Sequence, residues 1–330
     1  MLLKVGERGG GRDETSPDEY SPDATSSGIQ KGAHLKLVWH SSSATRKFIL
    51  MTNKLKGNIF ENTHEKKIKM NLYRIVDNLK NKTVVITGAS RGIGKQISIK
   101  CAKEGANVVM FARSKNKPSH EKLEGTLEDV AQEIREFGGK AHPIEVDLRN
   151  TMEVNKAITT TVNEFGTIDA IVNNASAIDI SKTLTIPKYN LIMDVNVRAT
   201  AHMILSSYEY LQKSQLGHVV TISPPISTLS TKWLCPHPVY STSKYAMTML
   251  TLGYSDVLRA NTIWPKKLIA TASTKMLEDK MNIPAFSKGL PATQFADTIY
   301  EILCSDVSGL SCLDDDIINV DKNGIEDIFT

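Results

Sequence analysis

The sequence predicts a single doubly wound α/β domain, with a parallel sheet of about seven strands and helices on both faces. Short β-branched, apolar runs alternate along the chain with longer stretches that carry apolar residues at i, i+3 and i+4. A glycine-rich turn also follows the first apolar run, as expected for such a domain. The strand candidates are 83–87, 107–112, 142–146, 169–173, 217–222, 261–264 and 317–320, and helical stretches include 93–102, 130–137 and 296–303.

Composition limits the classes of function. The chain has 330 residues and a formal net charge of +4, with charges of both signs interspersed, so we expect no nucleic-acid partner. No apolar run approaches the ~20 residues of a membrane span. The four cysteines are far apart and lack histidine partners at metal-ligand spacing. We therefore expect free thiols in a reducing, intracellular compartment and no metal site.

The first 70 residues differ from the rest of the chain. The segment 6–28 is rich in Gly, Ser, Pro and acidic residues and has almost no aliphatic side chains. It cannot bury enough apolar surface to offset chain entropy. We expect residues 1–70 to be a disordered or incidental extension and residues 71–330 to form the α/β domain.

The turn after the first strand has the pattern of a phosphate-binding loop. In 87-TGASRGIG-94, Gly88, Gly92 and Gly94 follow a strand and open a helix. Glycines there allow the backbone to approach a pyrophosphate at the helix N-terminus closely. The loop residues, including Ser90 and Ile93, are thus candidate cofactor contacts. A plain strand-to-helix turn is the alternative.

Two arginines suggest which dinucleotide would bind. The second strand ends in Ala112-Arg113, where NAD binders usually place an acid that holds the ribose 2′-hydroxyl. Arg91 in the glycine loop supplies a second guanidinium, and two guanidiniums favour a 2′-phosphate. NADP(H) is therefore the preferred cofactor and NAD(H) is possible. The alternative is that both arginines are solvated surface residues.

A helix later in the chain carries a candidate acid–base group. In 239-VYSTSKYAMTMLTLG-253, Tyr240 and Lys244 are four residues apart, which puts them on one helix face. A nearby ammonium lowers the pKa of a phenol and lets it exchange a proton with a carbonyl or alcohol oxygen. We expect Lys244 to act on Tyr240 in this way.

These motifs occur in an order that resembles the short-chain dehydrogenase/reductase family. The matching elements span about residues 80–325: 87-TGASRGIG-94, Asp147, 173-NNAS-176, Asn196, Ser223, 240-YSTSK-244, and Pro265 with Thr271. The resemblance implies a Rossmann fold and hydride transfer between a nicotinamide cofactor and a substrate carbon. It implies Tyr240 as the proton donor or acceptor, Lys244 on the nicotinamide ribose, and Asn196 holding a relay water.

The same resemblance implies further cofactor contacts. Asp147 would contact the adenine amino group, and Asn173, Asn174 and Ala175 would line the cofactor cleft. Pro265 and Thr271 would close over the nicotinamide amide.

The chain also departs from the family pattern at several points. Ser176 replaces the glycine of N-N-A-G and adds a side chain beside the cofactor, and Lys266 replaces the glycine after Pro265. The interval from Tyr240 to Pro265 is short, so we expect strain or misregister within 253–264. The family's catalytic serine stabilises the substrate oxygen, but Pro224 follows Ser223 in 219-VVTISPPISTL-229. Ser223 is preferred for that role and Ser227 is the alternative.

The predicted function is interconversion of a hydroxyl and a carbonyl on a lipophilic, lipid- or steroid-like substrate. Its pocket would be lined by Ile178, Ile180, Leu184, Trp233, Leu234, Leu268, Met276, Ile283 and Phe286, unless these residues simply pack the domain. The alternative function is a nucleotide-binding scaffold or sensor with little or no catalysis.

The resemblance also predicts assembly and location. It implies a homodimer or homotetramer that pairs through helices near 187–213 and 239–257. It implies a peroxisomal or mitochondrial location, with the cytoplasm also possible. Some similar proteins continue into a lipid-carrier domain, which we expect this chain to lack.

Overall fold

The structure is a computed structural model that describes residues 77–118, 124–179, 184–281, 284 and 286–318. The predicted N-terminal extension, residues 1–70, lies outside the described residues. No helix among the described residues is long and apolar enough to span a membrane. All four cysteines are free thiols.

A seven-stranded, wholly parallel sheet forms the centre of the domain, in the order β3-β2-β1-β4-β5-β6-β7. The predicted fold class is confirmed. The chain leaves β1 towards β2 on one side and returns to β4 on the other, so the topological switch point lies between β1 and β4. The strands are β1 Thr83–Thr87, β2 Asn107–Ala112, β3 Lys140–Glu145, β4 Ala170–Asn173, β5 His218–Ile222, β6 Arg259–Trp264 and β7 Ser311–Leu313.

Helices connect the strands. They are α1 Gly92–Lys103, α2 Leu127–Glu136, α3 Thr151–Phe165, α4 Ile186–Ile192, α5 Ala199–Lys213, α6 Thr231–Leu234, α7 Pro238–Leu252, α8 Ala272–Met281, α9 Ala292–Leu303 and α10 Asp314–Ile318. A π-helical turn, Met193–Arg198, joins α4 to α5, and a 3₁₀ turn, Ile226–Thr228, follows β5.

The helices cover both faces of the sheet because successive strand side chains point to opposite faces. Val84 and Ile86 of β1 pack in one core layer with α1, α2 and α9. Val85 of β1 packs in the other layer, with α3 and α5. This two-sided burial explains why the strands read as continuous apolar runs in the sequence.

The short segment before Pro265 contains a complete strand, so the expected strain or misregister within 253–264 is not found. Helix α7 ends at Leu252, and backbone hydrogen bonds close the following turn, from Tyr254 N to Thr251 O at 3.1 Å and from Leu258 N to Tyr254 O at 2.9 Å. Strand β6 then pairs in register with both β5 and β7. A tight turn accommodates the shortened interval without loss of the strand.

The predicted seventh strand was wrong. Ile317 and Ile318 belong to α10, and residues 319–320 lie outside the described part of the chain. The strand that pairs with β6 is Ser311–Leu313. Three acidic residues, Asp314–Asp316, fill the first turn of α10, where they stabilise a helix N-terminus, and the Asp316 carboxylate accepts from Leu313 N at 2.9 Å.

Candidate active site

A cleft of about 520 Å³ opens at the carboxyl ends of the strands, next to the switch point. Its size is within the range of small-molecule sites. Among the residues that line it are Gly88, Ser90, Arg91, Gly92, Ile93, Gly94, Arg113, Asp147, Asn174, Ala175, Ser176, Tyr240, Lys244, Pro265 and Thr271. The cleft therefore brings together nearly all the predicted site residues from six separate segments of the chain.

The glycine loop packs too tightly for side chains. Gly88 has a φ of +67°, and a Cβ on it would lie 2.9 Å from Ala175 Cα. A Cβ on Gly94 would lie 2.4 Å from the Gly88 carbonyl oxygen and 2.5 Å from Asn174 Nδ2. The loop is held by the Asn174 side-chain amide, which donates to the carbonyls of Thr87 at 2.8 Å and Gly88 at 3.2 Å.

The glycine loop leads into the N-terminus of α1, which is the positive end of the helix dipole. Arg91 is its N-cap residue and makes no side-chain cap hydrogen bond to the helix, and the first turn contains no acidic residue. The N–H groups of that turn and the helix dipole both favour an anion. The loop and helix thus form a cradle suited to a phosphate.

Arg91 and Arg113 both line the cleft. Burial lowers the pKa of Arg91, and the charge of Arg113 lowers it further. The two guanidiniums therefore repel each other, and an anion between them would relieve that repulsion.

Asp147 follows β3 and also lines the cleft. Its carboxylate pairs with the Arg149 guanidinium, whose Nε lies 2.9 Å from Oδ1. This hydrogen bond is the main reason that the pKa of Asp147 lies below its usual value. The carboxylate is ionised and held in place at the cleft wall.

Tyr240 and Lys244 reach the cleft from the first half of α7. Burial raises the pKa of Tyr240 to about 12 and lowers the pKa of Lys244 to about 7. The expected lowering of the phenol pKa by Lys244 is not seen, because burial disfavours the charged forms of both groups. The Lys244 ammonium lies 5.3 Å from the centre of the Trp264 ring, a cation–π contact.

The Ser176 hydroxyl makes a hydrogen bond with the Tyr240 phenol. It lines the cleft at the end of β4, and its hydrogen bond to Tyr240 opposes the burial-driven rise in the phenol pKa. Its Oγ also lies 3.3 Å from Asn196 Oδ1.

Asn196 is fully buried in the π-helical turn and holds the backbone next to Ser176. Its Oδ1 accepts from Ala177 N at 2.7 Å, and its Nδ2 donates to Ala177 O at 3.0 Å and to Ser243 Oγ at 2.9 Å. Its side-chain amide is thus occupied by protein groups, and the relay water assigned to it stays a prediction.

The structure does not bring either predicted serine into the cleft. Ser223 is fully buried, and its Oγ accepts a hydrogen bond of 2.8 Å from Thr248 Oγ1. Ser227 lies in the exposed 3₁₀ turn after the two prolines and does not line the cleft. Pro225 has an extended backbone (φ −61°, ψ 142°), and the Pro224 carbonyl accepts from Thr248 Oγ1 at 2.7 Å.

Asn173 is also absent from the cleft lining. It is buried at the end of β4, where its Nδ2 donates to Thr221 Oγ1 at 3.3 Å. It supports the floor between β4 and β5.

The apolar end of the cleft matches only part of the predicted pocket. Ile178 and Leu268 line it, whereas Leu184, Leu234, Met276 and Phe286 do not. Ile180, Ile283 and the Trp233 side chain lie outside what the structure describes. The lining also includes apolar side chains that sequence reasoning missed, namely Leu191, Val195, Ile222, Trp264 and Ile269.

Comparison with known proteins places this geometry in a family. The family profile described as short chain dehydrogenase matches residues 82–264, more than half of the chain. The chain belongs to the short-chain dehydrogenase/reductase family. The resemblance inferred from the ordered motifs is confirmed.

Relatives within the short-chain dehydrogenase/reductase family include hydroxysteroid dehydrogenase-like protein 2 from two vertebrates. The Pongo abelii protein is 44% identical over 201 residues, covering 59% of this chain and 47% of the relative. The Xenopus tropicalis protein is 38% identical over 259 residues, covering 74% of this chain and 59% of the relative. The match thus spans about half the length of these relatives.

Solved structures of short-chain dehydrogenases share the fold. One from Mycobacterium thermoresistibile is 34% identical with a TM-score of 0.66, over 74% of this chain and 89% of that one. A metagenomic short-chain oxidoreductase in complex with NADP has a TM-score of 0.58 at 21% identity, over 71% of this chain and 97% of that one. At that identity it supports the fold alone.

A short-chain dehydrogenase/reductase fold binds a nicotinamide dinucleotide, and the residues of this chain fit one. Cβ atoms at Gly88 and Gly94 would fill the space where the loop and helix come together, and the cleft offers cationic side chains. Sequence reasoning noted Ser176 as an added side chain but gave it no role. Its replacement of a family glycine was the signal that could have found it.

Proposed function

We propose that the chain is an NADP(H)-dependent oxidoreductase that interconverts a hydroxyl and a carbonyl on a lipophilic, lipid- or steroid-like substrate, with Tyr240 as the acid–base group. One observation carries the proposal. Tyr240 and Lys244 line the same cleft as the glycine loop and the two arginines. An acid–base pair and a dinucleotide cradle in one cleft are the parts that hydride transfer needs.

When bound, the nicotinamide dinucleotide supplies or accepts the hydride. Tyr240 supplies the proton that the substrate oxygen gains during reduction and takes it back during oxidation. With a pKa raised to about 12, the phenol is protonated at neutral pH and can donate its proton to a substrate oxygen. Lys244, held against Trp264, would bind the ribose hydroxyls and position the nicotinamide beside Tyr240.

The other cofactor contacts follow from the same geometry. Asn174 fixes the glycine loop through two hydrogen bonds, and Ala175 packs against Gly88. Asp147, which lines the cleft, would contact the adenine amino group. Thr271 lies close to the loop, since its Cγ2 would be 3.3 Å from a Cβ on Gly92. Pro265 and Thr271 also line the cleft and would close over the nicotinamide amide.

NADP(H) is preferred over NAD(H) because Arg91 and Arg113 both line the cleft, and the second strand ends in Arg113 where NAD binders usually place an acid. A 2′-phosphate would be bound by both guanidiniums, whereas the 2′-hydroxyl of NAD would leave their repulsion in place.

A lipophilic substrate is supported by the apolar end of the cleft. Ile178, Leu191, Leu268 and Ile269 line the same cleft as Tyr240. Apolar walls around a few polar groups favour a ligand that buries hydrocarbon and presents one oxygen. The relatives' name, hydroxysteroid dehydrogenase-like, agrees with this class of substrate.

The experiment is a cofactor-paired substrate screen. The full chain is incubated with NADPH or NADH and a panel of steroid, fatty and aromatic carbonyl compounds, and loss of the reduced cofactor is followed. We expect NADPH-dependent turnover of apolar carbonyls that disappears in Tyr240→Phe while NADPH binding, measured by fluorescence, is retained. Tight NADPH binding with no turnover of any compound would contradict the proposal.

That second outcome would support the alternative, a nucleotide-binding scaffold or sensor. The observation that favours it is the burial of Ser223 against Thr248, which leaves the usual serine position without a hydroxyl in the cleft. The two functions are separated by turnover alone, because both require dinucleotide binding.

We also propose a homodimer or homotetramer. Leu205 of α5 and Met249 of α7 are 60% and 65% exposed, and these helices are the expected pairing elements. A peroxisomal or mitochondrial location is a further proposal, tested by microscopy of the tagged full chain.

A further inference from the structure

We propose that Ser176, and not Ser223, is the hydroxyl that shares the substrate oxygen with Tyr240. The inference rests on the proposed oxidoreductase function and concerns the same cleft. It gives a role to a residue that departs from the family's N-N-A-G pattern.

Geometry excludes the usual serine position. Ser223 is fully buried and bonded to Thr248 Oγ1 at 2.8 Å, and Thr248 Oγ1 is in turn 2.7 Å from the Pro224 carbonyl. Pro224 offers neither a hydroxyl nor an N–H. Moving Ser223 into the cleft would leave Thr248 with one hydrogen-bond partner fewer in a buried environment, which costs free energy.

Ser176 has the placement that Ser223 lacks. Its side chain is exposed in the cleft, and it hydrogen-bonds the Tyr240 phenol. A group that already contacts the phenol is within reach of an oxygen that the phenol also contacts.

The surrounding bonds leave the Ser176 hydroxyl available. A serine hydroxyl has one donor and two acceptor sites and can rotate. Asn196 Oδ1 accepts a short hydrogen bond from Ala177 N, at 2.7 Å, and a longer one from Ser176 Oγ, at 3.3 Å. Asn196 Oδ1 therefore keeps a partner if Ser176 turns its proton towards a substrate oxygen. Asn196 clamps Ala177 through both its N–H and its carbonyl, which fixes the backbone that carries Ser176. Asn196 is thus a positioning residue.

The role follows from these contacts. During reduction the substrate oxygen gains negative charge as the hydride arrives at the carbonyl carbon and gains its proton from Tyr240. A hydrogen bond from Ser176 would stabilise that developing charge. Once Tyr240 has given up its proton, the hydrogen bond from Ser176 to Tyr240 stabilises the phenolate.

The phenol's environment makes this effect measurable. Burial and the Ser176 hydrogen bond are the two influences that shift the Tyr240 pKa. The charged residues that line the cleft, namely Arg91, Arg113, Asp147, Lys244, Lys266 and Lys267, are not among them. Loss of the Ser176 hydroxyl should therefore change the phenol pKa without compensation from a neighbouring charge.

The first test compares turnover of one apolar diketone, phenanthrenequinone, by NADPH in five proteins: wild type, Ser176→Ala, Ser176→Thr, Ser223→Ala and Tyr240→Phe. We expect kcat to fall about 10²-fold in Ser176→Ala, the loss seen when one oxyanion donor is removed. Ser176→Thr should restore most of kcat because it keeps the hydroxyl. Ser223→Ala should lose less than about threefold.

The second test needs no substrate. A trifluorinated tyrosine is incorporated at position 240, where its lower intrinsic pKa allows spectrophotometric titration in the folded protein. In Ser176→Ala the pKa of this phenol should rise by about one to two units, the effect of losing one hydrogen bond to the ionised form. Ser223→Ala should leave it unchanged.

The outcomes separate the two levels of the argument. Loss of turnover in Ser223→Ala but not in Ser176→Ala, or an unchanged phenol pKa in Ser176→Ala, would overturn the role of Ser176. Undiminished turnover in Tyr240→Phe would overturn the proposed function itself.

Discussion

Replacement of Gly94 by alanine tests whether the glycine loop is a dinucleotide cradle. An ideal Cβ at this position would lie 2.4 Å from the Gly88 carbonyl oxygen and 2.5 Å from Asn174 Nδ2, whereas real Cβ atoms essentially never come closer than 3.0 Å. The distance between the new Cβ and the Gly88 carbonyl oxygen must therefore increase from 2.4 Å to at least 3.0 Å, which requires the loop to move. That movement displaces the Asn174 amide from the carbonyls of Thr87 and Gly88, to which it donates.

The magnitudes follow from opposing effects. Overpacking costs about 1–3 kcal/mol, and alanine in place of glycine inside a helix stabilises by about 1 kcal/mol. The free energy of unfolding should thus fall by no more than about 2 kcal/mol, and the protein should still fold. The loop N–H groups, however, move by a distance that disrupts hydrogen bonding. We expect NADPH affinity to fall at least about 10-fold.

The assay is a fluorescence titration with NADPH, with urea unfolding in parallel. Gly253→Ala is the matched control, because Gly253 has a φ of −61° and lies outside the cleft, and its added Cβ, 3.3 Å from the Met249 carbonyl, requires a shift of only a few tenths of an ångström. It should bind NADPH as the wild type does. Wild-type NADPH affinity in a folded Gly94→Ala protein would refute the reasoning.

Three other predictions concern stability, cofactor choice and assembly. Burial lowers the pKa of His218 to about 3, from 6.5, so the unfolded chain binds the proton first and stability falls as pH drops below 6.5. At pH ~5 the free energy of unfolding is lower by about 2 kcal/mol. Urea unfolding at several pH values measures this dependence, and His218→Gln should remove it. Arg113→Ala should weaken NADPH binding about 10- to 100-fold and leave NADH unchanged in titration. Leu205→Lys with Met249→Lys should yield monomers in light scattering.

Each of these has a control and a contradicting result. The pH slope of His218→Gln unfolding should be compared with that of wild type over pH 6.5 to 4, and equal slopes would contradict the shifted pKa. Arg198→Ala, an exposed arginine paired with Asp194 outside the cleft, controls for loss of charge. Equal losses for NADPH and NADH in Arg113→Ala would argue against a 2′-phosphate site. Met152→Lys, at an exposed position of α3, should not alter the assembly, and a monomeric wild type would rule out the proposed pairing.

Much of the fold could be predicted because its signals are local. Strand β1 and the loop after it are adjacent in sequence, so the apolar run and the glycine spacing predicted both. The register of β6 could not be predicted, because it depends on how tightly the turn after Leu252 closes. The prediction of a strand at 317–320 was wrong because isoleucine is typical of strands, whereas the acidic residues Asp314–Asp316 begin a helix there.

In the candidate site, too, the features with a local sequence signal were predictable and the others were not. Tyr240 and Lys244 share a helix face, so their common placement followed from spacing. The pKa of Tyr240 did not, because it is set by burial among segments distant in the sequence. The burial of Ser223 against Thr248 and the contact of Ser176 with the phenol depend on how segments from different parts of the chain pack against α7. A single sequence does not determine which side chains from distant segments come into contact.

Direct hydride transfer is the central claim, and isotope transfer tests it most directly. NADPH carrying deuterium at nicotinamide C4 is incubated with the full chain and an apolar carbonyl compound, and the alcohol is analysed by mass spectrometry. We predict that the deuterium appears on the carbinol carbon with wild type and that product is lost in Tyr240→Phe, which still binds NADPH. Deuterium in the product of Tyr240→Phe at the wild-type rate, or no labelled product from wild type with any compound of the panel, would contradict the account.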